Sequence, residues 1–144
     1  MEGAIVNGLV GGLIATIVMS VFMMAMGGDE PPPTAAFWAK YVGDGAPAEY
    51  QMVGMVLHLV YGTAAGGVFG LTLYVVDVGI GDVVIGVAAG LGYGVVLFLG
   101  AAMFWMRIVL DMDPEPKQVG AFLLFHLIYG LVLGGWMGLA VLTF

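Results

Sequence analysis

Two histidines, His58 and His126, are the only imidazoles in the chain, and each opens the same phrase. Residues 58–71 are echoed by residues 126–139, with eight of fourteen positions identical, among them Tyr61 and Tyr129 and glycines in register. An imidazole can ligate haem iron, relay a proton or lock a helix contact by hydrogen bonding. A phenol three residues on shares nearly the same helical face and can anchor a further hydrogen bond. Two histidines with no carboxylate at suitable spacing are too few for a structural zinc site.

The elements that carry these groups are set by composition. With 62% hydrophobic and 9% charged residues and a mean hydropathy of +1.10, 144 residues cannot hide their apolar side chains from water, so a bilayer is the expected solvent. Four uncharged stretches, 3–28, 50–76, 83–106 and 118–144, each exceed the roughly 20 residues needed to cross a hydrocarbon core. Stretches of that length are helices, because only a helix satisfies its own backbone in lipid and barrel strands are far shorter. The reading is an all-α polytopic protein, one membrane domain over 1–144, with crossings at 4–26, 51–76, 83–110 and 119–142. The first apolar stretch lacks a basic leader and is longer than a signal core, so it is read as a retained crossing.

Acid-and-proline loops at 27–50 and 111–117 separate crossings one from two and three from four, while a six-residue link, 77–82, joins two to three. In the first loop Thr34 reads as the N-cap of a short interfacial helix at 35–42, carrying Phe37, Trp38 and Tyr41. The order hairpin, link, hairpin predicts a duplication, 1–76 and 82–144. Each unit has an even number of crossings, so the two insert in parallel about a pseudo-twofold axis along the membrane normal.

Glycines recur every fourth residue: Gly8 and Gly12, continued by Thr16 and Ser20; Gly62, Gly66 and Gly70; Gly86, Gly90 and Gly94; Gly130, Gly134 and Gly138. Such glycine-zipper stripes let backbones approach in a solvent as apolar as leucine, and they predict a tight bundle. His58 precedes Gly62 by four residues and His126 precedes Gly130 by four, so both imidazoles are expected to face the interior at matched depth, about 10 Å below the interface. A polar group at that depth is a site candidate. Its expected role is a packing hydrogen bond, with His58 and His126 as axial ligands of a b-type haem as the alternative, Tyr61 and Tyr129 standing beside them.

Other chemistries are thinly represented. Ser20 is the only serine and no acid lies within a span, so no nucleophile with base and orienter can be assembled and no enzyme is expected. There is no cysteine. A net charge of −7 argues against nucleic acid as a partner. The basic residues Lys40, Arg107 and Lys117 lie toward the proline loops, which places those loops in the cytoplasm and the termini outside.

At the His-Leu-x-Tyr-Gly phrases opened by His58 and His126, and in the Pro-Pro-Pro-Thr-Ala-Ala-Phe-Trp-Ala-Lys run at 31–40, the chain resembles a group of small four-helix membrane proteins of halophilic archaea. It is similar, more loosely, to the bacterial YagU-like inner-membrane proteins. The acidic, lysine-poor loops suit a high-salt cell. The resemblance carries over no catalytic residue and implies association with respiratory membrane complexes. The expected function is an accessory or scaffold protein of the cytoplasmic membrane, contacting lipid and either a membrane-protein partner or further copies of itself through the acidic loops and the Phe37, Trp38, Tyr41 cluster. A bis-histidine haem electron carrier is the alternative, and a proton or small-solute transporter the third reading.

Overall fold

The computed structural model describes residues 1–27, 31–78 and 82–139. Among these are five α-helices: α1 (Glu2–Gly27), α2 (Pro33–Tyr41), α3 (Gln51–Val75), α4 (Val83–Leu99) and α5 (Pro116–Gly138). A 3-10 turn, Pro47–Tyr50, leads into α3, and a π-helical stretch, Gly100–Val109, continues α4. No strand occurs among the described residues. Helices α1, α3, α4 with its continuation, and α5 are each long and apolar enough to cross a bilayer, so the chain is an all-α, multi-pass membrane protein. The segment 28–30 of the first proline loop, the middle of the short link at 79–81 and the expected end of the last crossing at 140–142 lie outside the described residues.

Proline sets two of the helix starts. Its fixed φ suits the first helical position, where the missing amide hydrogen has no intrahelical partner in any case. Helix α2 therefore begins at Pro33, one position before the expected Thr34 cap, and Pro32 occupies the cap without a side-chain bond. Thr34 instead ties two helices together, its hydroxyl donating to Gly54 O of α3 at 2.6 Å. For the same reason α5 begins at Pro116 rather than 119, with Glu115 N donating to Gln118 Oε1 at 2.9 Å. Asp82 caps α4, its carboxylate accepting from Val84 N and Ile85 N at 2.9 and 3.0 Å.

The glycine stripes pair within each hairpin. A methyl group on Gly12 would lie 2.7 Å from Gly62 O and 2.8 Å from Gly66 Cα, while Gly8 meets Gly66 and Gly70 meets Ala4. In the second hairpin Gly86 meets Gly134 and Gly138, Gly90 meets Gly130 and Gly134, and Gly94 meets His126 and Gly130. The two antiparallel registers coincide: the helix face that sets Gly8 against Gly66 sets Gly86 against Gly134. Backbone meets backbone along both interfaces, where dispersion and weak Cα–H···O contacts hold helices that lipid does not drive together.

The hairpins join unequally. Helices α1 and α5 pack closely, with Trp136 seated on Gly11, where a Cβ would come within 2.6 Å of the indole. Helices α3 and α4 make no comparable backbone contact. They are bridged by Tyr93, whose hydroxyl donates to Ala65 O at 2.8 Å and whose ring lies 4.9 Å from that of Phe69. The buried core, including Ala15, Met19, Phe69, Phe125, Leu133 and Met137, fills the bundle beside the closed seam.

Candidate functional site

Toward the proline-loop side the four crossings enclose an apolar chamber of about 220 Å³. Its polar side chains are few: Thr16 from α1, Thr34 from α2, His58 and Tyr61 from α3, the Trp105 indole from the continuation of α4, and His126 and Tyr129 from α5. The structure therefore brings all four chemistry-bearing residues of the repeated phrases to one cavity, which is lined by all four crossings. No charged side chain is among its described lining residues.

The two imidazoles are held differently. His126 is buried, and its Nδ1 lies 2.8 Å from Phe122 O, one turn back on the same helix. A carbonyl only accepts, so that Nδ1 carries the proton and Nε2 keeps a lone pair. Phe122 and Phe98 flank the ring, with centroids 4.5 and 6.2 Å away. His58 is half-buried and its Nδ1 faces Ser20 Oγ at 3.4 Å. Ser20 belongs to the small-residue stripe of the first crossing, so the stripe supplies this imidazole with a neighbour as well as supplying backbone contact.

The tyrosines also part company. Tyr129 is 3% exposed and donates to Gly62 O at 2.6 Å, joining α5 to α3 across the top of the chamber. Tyr61 is 42% exposed and makes no hydrogen bond among the described residues. The expected bridge from Tyr61 is replaced by one from Tyr93 on the third crossing. Nothing in the sequence marks Tyr93 out, because it lies in an apolar run outside the repeated phrases.

The wall from the third crossing depends on its change of helix type. From Gly100 the backbone bonds reach five residues back, as in Leu110 N to Trp105 O at 2.9 Å. The wider turn aligns Ala101, Met106 and Leu110 on the inner face and turns Met103, Phe104 and Ile108 outward. Such distortions cost hydrogen-bond geometry and are concentrated at functional sites.

Helix α2 is the floor. Ala35 is fully buried against Gly54, Thr34 is tied to the same glycine, and Phe37 meets Trp105 edge-on with centroids 5.8 Å apart. Lys40 Nζ and Tyr41 OH both donate to Val109 O, at 2.9 and 2.7 Å, satisfying a carbonyl at the end of the π-helix. The two exposed aromatics of the lining, Tyr61 at 42% and Trp105 at 36%, come from α3 and the third crossing. Both line the chamber while remaining exposed, so the chamber reaches the surface of the bundle at these two residues.

No family model, curated protein or solved structure matches the chain.

Proposed function

We propose that the protein is an integral accessory protein of the cytoplasmic membrane whose working part is this chamber, a receptor for an apolar molecule drawn laterally from the lipid. The observation that carries the reading is the convergence of His58, His126, Tyr61, Tyr129 and Thr16 on one largely apolar cavity whose lining reaches the bundle surface at Tyr61 and Trp105. Polar groups inside a bilayer are costly, and gathering them at one void is the pattern of a binding site. On this reading the chain is a duplicated hairpin with glycine-zipper interfaces. The proline loops, with the basic residues, face the cytoplasm and the termini face outward. The acidic loops dock a membrane-protein partner or a second copy. Kinship with the halophilic archaeal and YagU-like proteins belongs to the same proposal and rests on the His-Leu-x-Tyr-Gly phrases.

Native mass spectrometry of the protein released from its membrane should show an apolar adduct, and Ala101→Phe, which fills the chamber, should lose it. Equal adduct occupancy in the variant would refute the reading. Haem b between His58 and His126 is the alternative occupant, favoured by the shared cavity. It is disfavoured by size, since about 220 Å³ falls short even of the roughly 300 Å³ at which drug-sized pockets begin, and by the lack of a lining cation for its propionates. A Soret band on adding haem, abolished by His126→Ala, would reverse that preference.

A further inference from the structure

We infer that the chamber selects an uncharged, membrane-dissolved aromatic alcohol, of the hydroquinone class, by receiving its hydroxyl protons. This rests on the receptor reading above and follows from where the protons of the chamber's three most buried polar side chains, Thr16, Tyr129 and His126, already go. Thr16 donates its hydroxyl proton to Gly12 O at 2.6 Å. Tyr129 donates its proton to Gly62 O at 2.6 Å, and His126 spends the Nδ1 proton on Phe122 O. What these three groups have left to offer a guest is therefore lone pairs, on Oγ1, Oη and Nε2.

A guest that only accepts hydrogen bonds, such as a ketone, ester or ether, can engage the Tyr61 hydroxyl, the Trp105 indole N–H or the His58 ring proton, but it leaves the three innermost acceptors dry and unpartnered. A guest that donates satisfies them, and the difference is large because water cannot substitute inside an apolar site. Charge is disfavoured from both sides, since neither a carboxylate nor a cation lines the cavity to meet it. The guest is therefore neutral and hydroxylated.

Ring shape comes from the walls. Phe37, Trp105 and Phe122 offer aromatic faces and edges, and Met19, Met23 and Met106 offer adaptable thioethers. A dry cavity of about 150 Å³ already admits benzene, so about 220 Å³ holds one substituted ring. An alkyl or isoprenoid tail on that ring has its exit at Tyr61 and Trp105, where the chamber reaches the bundle surface.

The test uses the full-length protein in nanodiscs, titrated calorimetrically with four probes: a decyl hydroquinone, the corresponding quinone, its di-O-methyl ether and a fifteen-carbon prenyl alcohol. The hydroquinone should bind tightest, by about tenfold for each hydrogen bond the quinone or ether cannot donate. In His126→Phe the hydroquinone should fall toward the ether while the ether is unchanged. The comparison among probes needs no variant, so it decides even where His126→Phe fails to assemble. Equal binding of hydroquinone, quinone and ether would overturn the donor requirement, and a prenyl alcohol binding as tightly as the hydroquinone would overturn the aromatic class. Ala101→Phe separates receptor from selectivity. If it abolishes all binding while the probes fail to rank as stated, the receptor stands and the hydroxyl selection falls; if it leaves binding of every probe intact, the receptor reading itself fails.

Discussion

Replacing Gly12 by alanine puts one methyl group where two backbones already touch. The new Cβ would sit 2.7 Å from Gly62 O and 2.8 Å from Gly66 Cα, against an ordinary carbon contact of about 3.5 Å or more. Neither obstacle is a flexible side chain, so α1 and α3 must separate by most of an ångström along a face where Gly8 against Gly66 and Ala4 against Gly70 depend on the same spacing. Overpacking of this kind costs about 1–3 kcal/mol, and the upper part of that range applies because the strain cannot relax locally. Against it stands the gain in helix propensity of roughly 1 kcal/mol for glycine to alanine. The net loss is about 2 kcal/mol, a thirtyfold or so shift in the folding equilibrium. Gly92→Ala is the control, since a Cβ there meets nothing within 4 Å, and only the propensity gain remains. Denaturation of both variants by SDS in mixed micelles, followed by circular dichroism, should move their midpoints in opposite directions. Equal midpoints for Gly12→Ala and Gly92→Ala would refute the close helix contact on which the bundle rests.

Tyr129→Phe removes the side-chain donor to Gly62 O and should cost about 1 kcal/mol in the same titration, within the range for hydrogen bonds between membrane helices, whereas Tyr61→Phe should be neutral. The chain has no cysteine, so single cysteines report topology cleanly: Asp44→Cys and Asp113→Cys should be labelled from one side of intact vesicles and Glu2→Cys from the other, and labelling of all three from the same side would overturn the four-crossing arrangement.

The crossings are legible in the chain because their cause is local: long uncharged runs in lipid have no alternative to helix. A spacing of four at Gly8, Gly12, Gly62 and Gly66 reports a helix face without its partner. Which helix meets which face is a tertiary outcome, and the stripes turn to their own hairpin mates. His58 and His126 are recognisable as a pair through the repeated phrase, but the surroundings that distinguish them depend on Ser20 and on Phe122 O, one of which lies 38 residues away. The π-helix has no signature in Gly100–Val109, since its register follows from packing against its neighbours. At Pro33 and Pro116 proline's preference for the first helical position outweighs the other start signals, and both helices begin earlier than the hydrophobic pattern alone implies.

The chamber exists because two hairpins of like register are joined along only one seam. On the closed side Trp136 fills the groove beside Gly11, and glycine there is what admits the indole. The matching position of the other phrase is Val68, which is exposed, and the residue standing where Gly11 would fall in the second hairpin is Ala89. A valine and an alanine cannot make the contact that an indole and a glycine make, so α3 and α4 stay apart, bridged by Tyr93 to Ala65 O and Phe69. The same inequality continues downward: Ser20 stands beside His58 where Phe98 stands beside His126. One imidazole therefore has a polar neighbour and the other an aromatic one. The like registers of the two hairpins bring two imidazoles to one cavity, and the departures from that likeness leave α3 and α4 apart and give the two imidazoles different neighbours.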